Sequence, residues 1–418
     1  MCSEHKEADV SSNEKSLNLS SRPAAEAYVS KVCFKLGPPQ LIGAELEWLT
    51  YTKNGDRPSL DNIATALGEY APRSIAPNSP ALTLPGGSAV TIEPGGQIEL
   101  SSAPHASVQE LQRALDADAE MLASLMDAGH LGMASAPADQ DRDPQRLLVL
   151  PRYCAMENRF TTIGPFGKLM MCNTAAAQVS VDAGTDRADV ARRWTMLETV
   201  GPALVAAFAC SPTLRGAPAG HWASQRMRTW LELDDSRTEV PATADPVTDY
   251  ARWALDVPLL CIRSDGESWD APAGTTFAQW IEDEELVGRS PTTADLGYHL
   301  TTLFPHVRAC GHLEVRYLDA QPDGQWVVPT AVFDALLSDP AITSHATDLA
   351  RRSAGRWVDA ARHGLADHCL RSAAEDLLHL AAANSDAYGD VVAQAAERCR
   401  TGEPPTFSNN AATTKESV

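Results

Sequence analysis

The chain has 418 residues, of which 44% are hydrophobic, and it is therefore long enough to bury a large core. Its formal net charge of −21 argues against nucleic acid and anionic membranes as partners, because both require basic surfaces. Its nine cysteines are scattered and form no C-x-x-C pair, a pattern that favours reduced thiols over a disulfide framework or a zinc ribbon.

Both ends of the chain are polar, and we predict disordered tails over residues 1–22 and 401–418. The N-terminal segment lacks the apolar core of a signal peptide, and no run of 18 apolar residues occurs, so we expect a cytoplasmic protein. No low-complexity linker divides the chain between the tails. This continuity favours a single catalytic domain over residues 23–400.

Several segments carry helix signals. The first predicted helix begins at Ser107, which forms a capping box with Glu110, and ends at Gly129. Apolar residues at helical spacing predict three further helical regions, over residues 188–209, 292–304 and about 342–399. Segments rich in Pro, Asp and Gly predict loops at residues 71–80, 136–146 and 264–274.

Four other segments alternate apolar and polar residues, which is typical of strands with one buried face: residues 43–51, 97–101, 178–182 and 312–318. In the first, Ala44, Leu46 and Trp48 share one face, and Glu45 and Glu47 share the other. The remaining three segments follow the same design. We therefore predict a sheet whose polar face carries acid and amide groups.

The polar face of this predicted sheet has an unusual composition. It collects four glutamates, namely Glu45, Glu47, Glu99 and Glu314. Glu93 lies beside them across a Pro-Gly-Gly turn, and Arg316 is the only clear cation. A solvated sheet face would explain any one strand taken alone. Like charges that face each other across a sheet destabilise it, however, so the cluster indicates divalent cations among the carboxylates.

Magnesium suits such a cluster, because it prefers hard oxygen ligands. The five glutamates could hold two or three ions around a nucleotide triphosphate. The chain has no P-loop motif, and Lys168 is its only lysine between Lys53 and Lys415, so phosphate chemistry would rely on metal ions and arginines. No cluster of cysteine and histidine indicates zinc, and His312 is interpreted as a structural residue.

Five segments together resemble the glutamate–cysteine ligase family, in the branch shared by plant and many bacterial enzymes: GAELEW, EPGGQIELS, MCNTAAAQVSVD, YARWALDVPLL and HLTTLFPHVRACGHLEVRYLD. They follow the family's order between about residues 41 and 322. Within the family, the chain is similar to actinobacterial members assigned to ergothioneine synthesis. The resemblance implies an α+β fold, with a curved, mainly antiparallel sheet, an acidic concave face and helices packed behind it. This fold is related to glutamine synthetase and the guanidino kinases.

The resemblance also implies an ATP- and Mg²⁺-dependent ligase. The γ-carboxylate of L-glutamate would attack the γ-phosphate of ATP, giving γ-glutamyl phosphate and ADP. The amine of L-cysteine would then displace phosphate, giving γ-glutamylcysteine. The partners implied are therefore the small molecules L-glutamate, L-cysteine and ATP.

The matching motifs imply roles for individual residues. The implied magnesium ligands are Glu45, Glu47, Glu93, Glu99 and Glu314. Arg316 is implied to be the catalytic residue that contacts phosphate, and the isolated Lys168 is a second candidate for a nucleotide contact. The implied substrate-binding residues are Arg152, Tyr153, Asn173, Gln178 and Arg228. A surface arginine on a strand is the alternative interpretation of Arg228.

Other functions stay open at this stage. The segment MCNTAAAQ has Asn173 and a run of alanines where the plant-like branch has a basic residue and more hydroxyls, so the cysteine pocket is unassigned. A ligase of the same fold with another amine acceptor is one alternative. A glutamate- and nucleotide-binding regulator is disfavoured by the five glutamates. A guanidino kinase is disfavoured because Cys172 and Cys310 lack a recognisable surrounding signature.

Overall fold

One antiparallel sheet of seven strands organises the computed structural model, which describes residues 16–37, 40–322 and 324–407. The strands are β1 Ile42–Thr52, β2 Ala89–Ile92, β3 Ile98–Ser101, β4 Leu131–Ala134, β5 Ala177–Val181, β6 Val307–Ala309 and β7 Leu313–Val315. Their order across the sheet is β2–β3–β1–β5–β7–β6, and β4 pairs with the C-terminal part of β1.

The long central strand β1 alternates as the sequence predicts. Leu46 lies opposite Leu100 of β3, and Ala44 lies opposite Val179 of β5, so apolar side chains line up on one face. All four residues are buried. Burying a Leu or Val side chain contributes about 1.5–3 kcal/mol. This burial fixes the register, because a slip of one residue would move the glutamates of β1 into the core.

The hairpin between β2 and β3 closes through Pro94, Gly95 and Gly96. Gly96 has a φ of +87°, a conformation that favours glycine. A Cβ atom at Gly95 would lie 2.3 Å from the carbonyl oxygen of Cys172, so only glycine allows the turn to approach that segment this closely. The Pro-Gly-Gly turn therefore fixes the position of the glutamates on either side of it.

Helices surround this sheet. The first eight are α1 Arg22–Cys33, α2 Leu60–Leu67, α3 Val108–Ala128, α4 Pro151–Thr161, α5 Phe166–Asn173, α6 Arg187–Phe208, α7 Gln225–Leu231 and α8 Asp235–Thr238. The others are α9 Pro246–Asp256, α10 Phe277–Glu282, α11 Thr293–Leu300, α12 Val327–Leu337, α13 Pro340–Ala350, α14 Trp357–His363, α15 His368–Ala383 and α16 Gly389–Thr401. Helices α3, α12 and α6 pack against β1, β5 and β6, respectively. Of the helices described, none combines the length and the apolar character needed to cross a membrane.

The helices predicted from the sequence are present. Helix α3 begins after Ser107, whose side-chain oxygen accepts a hydrogen bond from the backbone of Glu110, and Gly129 caps its end. Helix α6 coincides with the region 188–209. The C-terminal helical layer already begins at Val327, ahead of the predicted start. The three predicted loops contain neither helix nor strand.

Two predicted elements are shorter than expected. Helix α11 ends at Leu300 rather than near residue 304, because the chain tightens there into bonds between residues three apart. The strand predicted over residues 312–318 is reduced to β7. Beyond it the backbone keeps only single contacts with its neighbours, such as Arg316 N–H to His306 O at 3.0 Å.

One hydrophobic core extends through the sheet and the helices, from Leu19 to Cys399. The described part of the predicted N-terminal tail joins this core, because Leu19 is buried and its N–H donates to the carbonyl oxygen of Pro291 at 2.9 Å. Residues 1–15 and 408–418, which hold most of the two predicted tails, lie outside the described residues.

Candidate active site

Glu47 and Glu99 face each other on neighbouring strands β1 and β3, and Thr91 of β2 completes the row. Glu99 is 3% exposed, and its Oε1 accepts hydrogen bonds from Thr91 Oγ1 at 2.6 Å and Ser101 Oγ at 3.2 Å. Burial and the facing carboxylate of Glu47 raise the pKa of Glu99 to about 7. Burial also raises the pKa of Glu47, although the N–H of Ala176 donates to its Oε2 at 2.8 Å.

Glu45 occupies the next row, two residues earlier in β1, between Ser101 and Gln178 of the flanking strands. It is 4% exposed, and its Oε1 has no hydrogen-bond partner among the described residues. Burial, together with the charges of Glu99 and Glu314, raises the pKa of Glu45 to about 8. An ionised carboxylate in this position is costly unless a cation binds it.

Glu314 occupies a third row, opposite Ser180 of β5 and Arg308 of β6. It is fully buried. Arg308 Nη2 donates to its two carboxylate oxygens at 2.9 and 2.8 Å, and Arg316 Nη1 donates to its Oε1. Burial by itself would raise the pKa of Glu314, but the two guanidinium groups outweigh it and hold this pKa well below its usual range. At this end of the face, two guanidinium groups therefore surround one carboxylate, which leaves an excess of one positive charge.

Arg226 brings a further positive charge that sequence reasoning missed. It lies in α7, is 2% exposed, and donates from Nη2 to the carbonyl oxygen of Arg316 at 2.8 Å. Its charge opposes the effect of burial on the pKa of Glu47. The ring of Trp230 lies 5.6 Å from the guanidinium of Arg226 and 5.0 Å from that of Arg316. The motif RMR could have indicated this role for Arg226. Residues two apart on a helix point in different directions, so Arg226 and Arg228 cannot contact the same neighbours.

Glu93 lies at the rim of this face. It follows β2 by one residue and stands two residues after Thr91, so the alternation places both on the same side. Glu93 is half-buried, and its backbone closes the hairpin through a hydrogen bond from its N–H to Gln97 O at 2.8 Å. The other predicted ligands, Glu45, Glu47, Glu99 and Glu314, occupy the three rows.

Gln178 and Asn173 have different settings. Gln178 Nε2 donates to Glu47 Oε1 at 3.3 Å, which places it on the acidic face. Asn173 is fully buried, accepts from Arg57 Nη2 at 2.9 Å and donates to the carbonyl oxygen of Arg142 at 2.6 Å. Arg57 also donates to a backbone oxygen of the Pro-Gly-Gly turn at 2.8 Å. Asn173 thus helps to hold the turn that carries two of the glutamates.

Arg228 lies in α7 and is 6% exposed, so its alternative interpretation as a surface arginine on a strand is wrong. Its Nη1 donates to the carbonyl oxygen of Pro218 at 2.6 Å, and its Nε pairs with Glu232 at 3.2 Å. The guanidinium lies 5.1 Å from the ring centroids of both Phe166 and Trp222. These contacts hold Arg228 against the aromatic side chains.

Three other predicted contacts lie on α4 and α5. Arg152 donates to the side-chain and backbone oxygens of Thr301, at 2.8 and 3.0 Å. Tyr153 is 5% exposed and belongs to the hydrophobic core. The side chain of Lys168 is 42% exposed and forms an ion pair with Glu157 at 2.8 Å. Each of these side chains packs or pairs with neighbours outside the three rows.

Cys310, His312 and Glu314 form a cluster that sequence analysis did not predict. Cys310 Sγ lies 3.4 Å from His312 Nε2 and 3.6 Å from Glu314 Oε2. The expectation that the chain has no such cluster is therefore wrong. Cys310 and His312 lie in the turn between β6 and β7, and Glu314 lies on β7, so their proximity becomes evident only when this hairpin is known.

The three rows of the acidic face offer oxygen ligands that fit a hard divalent cation. Three buried oxygens lack hydrogen-bond partners within the described chain: Glu45 Oε1, Gln178 Oε1 and Ser180 Oγ. The carboxylates of Glu47 and Glu99 adjoin them. Carboxylate, amide and hydroxyl oxygens of this kind suit Mg²⁺.

Comparisons with known proteins show which sequences and folds this chain is similar to. A family model described as glutamate–cysteine ligase family 2 (GCS2) matches residues 41–402. The chain is 36% identical over 381 residues to glutamate–cysteine ligase EgtA of Mycolicibacterium smegmatis, covering 89% of this chain and 86% of that protein. It is 37% identical over 377 residues to the EgtA of Mycobacterium tuberculosis, covering 88% and 84%. It is also 31% identical over 386 residues to the chloroplastic glutamate–cysteine ligase of Brassica juncea, covering 85% and 73%.

A solved structure shares the fold. It is the crystal structure of a glutamate–cysteine ligase from Francisella tularensis in complex with AMP. It matches with a TM-score of 0.54 and 12% identity, covering 88% of this chain and 83% of that one. The α+β fold with an antiparallel sheet is thereby confirmed, as is the family resemblance found in the sequence.

Proposed function

The chain belongs to glutamate–cysteine ligase family 2 and is a ligase of that class, and from this premise we propose that it joins L-glutamate to L-cysteine at the expense of ATP. The observation that carries the proposal is the charge arrangement on one sheet face. Buried carboxylates of Glu45, Glu47 and Glu99 adjoin an end where Arg308 and Arg316 surround Glu314. Such a face can hold cations and a triphosphate together.

Glu45, Glu47 and Glu99 are the central magnesium ligands in this proposal, with Glu93 at the rim and Glu314 at the arginine end. The unpartnered oxygen of Glu45 and the facing carboxylates of the first row support this assignment. Bound Mg²⁺, in two or three ions, supplies positive charge that offsets the charge of the triphosphate.

Arg316 is the proposed phosphate contact. Glu314 fixes one edge of its guanidinium and the ring of Trp230 lies beside it, so its orientation is set before substrate arrives. We assign the binding of a substrate carboxylate to Arg226 rather than Arg228. The charge of Arg226 acts on Glu47, whereas Arg228 is engaged with Pro218 and two aromatic rings. Gln178, in the second row, is the proposed polar contact on the glutamate side.

The chemistry needs little covalent participation from the protein. The γ-carboxylate oxygen of L-glutamate bonds to the γ-phosphorus of ATP as the bond to ADP breaks. The amine of L-cysteine then bonds to the acyl carbon, phosphate leaves, and the amine gives up a proton. Held arginines and a fixed register position these groups, which is the main contribution that phosphoryl transfer requires.

The similarity to the two EgtA ligases supports a role of the product in ergothioneine synthesis. The acceptor is the least constrained element, because the segment that departs from the plant-like branch contains the buried residues Ala175, Ala176 and Ala177. Small apolar side chains of this kind leave room for the acceptor, but they offer no polar group that would favour one amine over another.

The deciding experiment measures ADP release by the purified chain with ATP, Mg²⁺ and L-glutamate, with each amino acid in turn as acceptor. Product masses are determined in parallel. We expect L-cysteine to give the fastest release and a product with the mass of γ-glutamylcysteine. A faster reaction with another amine would change the proposed acceptor and leave the proposed phosphoryl transfer intact. No ADP with any acceptor would refute the proposed function.

A further inference from the structure

The hairpin between β6 and β7 brings three metal-ligating side chains to one side. Cys310 and His312 flank Gly311 in the turn of this hairpin, and Glu314 lies on β7, opposite Arg308 of β6. The turn is held by Cys310 N–H to His312 O at 3.0 Å and by Gly311 N–H to Cys33 O at 2.8 Å. Gly311 has a φ of +93°, which favours glycine. The backbone therefore positions these side chains without help from a metal.

The distances between the three ligand atoms fit a tetrahedral centre. Cys310 Sγ lies 3.4 Å from His312 Nε2 and 3.6 Å from Glu314 Oε2, and all three atoms lie within 4.8 Å of one another. Tetrahedral zinc, with bonds of about 2.3 Å to sulfur and 2.0–2.2 Å to nitrogen or oxygen, separates its ligand atoms by about 3.3–3.6 Å. A cation between these atoms would reach each of them without a large movement of the backbone.

Glu314 has room for this additional bond. Its Oε1 accepts from Arg308 and Arg316, and its Oε2 accepts from Arg308 at 2.8 Å. A carboxylate offers about four lone-pair positions. Oε2 can therefore bind a cation while Oε1 keeps Arg316.

The site is reachable, and the charges next to it are mixed, because Arg308 and Arg316 pair with Glu314. Cys310 and His312 are half-buried, whereas Glu314 is fully buried, so a cation can enter from the side of the hairpin turn. Sulfur and imidazole ligands select zinc-like cations, and Mg²⁺ binds them poorly.

We propose that Cys310, His312 and Glu314 bind one thiophilic divalent cation, such as Zn²⁺, with a fourth position open to a small ligand. The site differs in donor chemistry from the oxygen ligands of the three rows. It also shares Glu314 with the arginine end. The site has a consequence for catalysis that rests on the proposed function. The bound cation slows ADP formation because it draws Glu314 away from Arg308.

The test uses the full chain, stripped of metal and titrated with Zn²⁺ against a chromophoric chelator and, separately, with Co²⁺. We expect one tight equivalent of Zn²⁺ that millimolar Mg²⁺ does not displace. Co²⁺ should give the near-ultraviolet absorption of a cobalt–thiolate bond and the visible bands of a tetrahedral centre.

Three variants assign the signal to this site. Cys310→Ser should abolish the cobalt–thiolate absorption and weaken Zn²⁺ binding by at least tenfold, and His312→Ala should weaken it similarly. His312→Ala also serves if Cys310→Ser fails to fold. Cys369→Ser is the matched control, because Cys369 is likewise half-buried and lies on α15, where its Sγ donates to the Arg352 carbonyl oxygen at 3.6 Å. It should bind both metals as the wild-type chain does.

Two results would overturn the site. One is a cobalt complex of the wild-type chain without thiolate absorption. The other is Zn²⁺ binding that survives in both Cys310→Ser and His312→Ala. ADP formation is followed in the same samples. Its absence from the metal-stripped, Mg²⁺-supplied chain would count against the proposed function, and the binding data would still decide the zinc site.

Discussion

Glutamates on the same sheet face stand in opposite electrostatic settings at its two ends. On β1 and β3, Glu45 and Glu99 are buried near other carboxylates, and their pKa values are raised to about 8 and about 7. On β7, Glu314 is buried even more completely, yet Arg308 and Arg316 lower its pKa. Burial is common to both ends, so the neighbouring charges make the difference. We therefore expect Mg²⁺ to bind at Glu45 and Glu99, which form no ion pair with an arginine in the described part of the chain.

The largest expected effect comes from Glu45→Gln. Loss of this central carboxylate should lower the turnover of ADP formation by about 10³-fold, because it removes stabilisation of charge in the transition state. The measurement is ADP release at saturating substrates and Mg²⁺. Glu69→Gln, at an exposed glutamate, is the matched control and should keep wild-type turnover. Near-normal turnover of Glu45→Gln would remove Glu45 from the site.

The same substitution should change stability in opposite directions at the two ends. Glu314→Gln leaves two buried guanidinium groups without their carboxylate and should lower the free energy of unfolding by about 3 kcal/mol. In Mg²⁺-free buffer, Glu45→Gln removes a disfavoured buried carboxylate and should raise that free energy by about 1–2 kcal/mol. Denaturant unfolding of both variants measures the contrast. Equal signs would mean that the two ends do not differ as described.

The sequence allowed the acidic end to be predicted because the information there is local. Alternation within residues 43–51 assigns Glu45 and Glu47 to one face, and the apolar residues between them fix the register against β3 and β5. Strand pairing then brings Glu99 opposite Glu47. Each step follows from the alternation of side chains along a strand and from burial of the apolar face of the sheet.

The arginine end could not be predicted in the same way. Arg226 reaches the face because its Nη2 donates to the carbonyl oxygen of Arg316, just after β7. The residue spacing of a short helix does not predict which segment the helix will contact. Arg308 depends on the pairing of two three-residue strands. Arg228 drew attention through its motif, yet its side chain turns toward Trp222 and Phe166. Long-range packing decides all three positions.

A smaller effect concerns acid stability at the arginine end. His306 precedes β6, and its ring stacks on Trp357 with centroids 3.9 Å apart. Burial lowers the pKa of His306 to about 4, against about 6.5 in an unfolded chain. Between these values the unfolded state binds a proton that the folded state excludes, so stability falls with decreasing pH by about 1.4 kcal/mol per pH unit.

His306→Gln should remove this dependence. The difference in free energy of unfolding between the wild-type chain and the variant should therefore shrink as the pH is lowered from about 7 to about 5. Denaturant unfolding at intermediate pH values measures it, and other titrating groups, such as His299, cancel in the difference. A difference that stays constant would show that His306 is protonated equally in both states.

The smallest effect is expected at Lys168, the isolated lysine. Arg316 has an 11% exposed side chain and is fixed against a buried glutamate, whereas Lys168 is 42% exposed and pairs with Glu157, itself 20% exposed. Exposed ion pairs contribute little because water screens them. Lys168→Ala should therefore change the free energy of unfolding by no more than about 0.5 kcal/mol and the KM for ATP by less than about twofold. Lys53→Ala, at another exposed lysine, is the control for loss of one charge. A tenfold higher KM in Lys168→Ala alone would instead make Lys168 a nucleotide contact, because only a direct interaction with phosphate is strong enough to produce it.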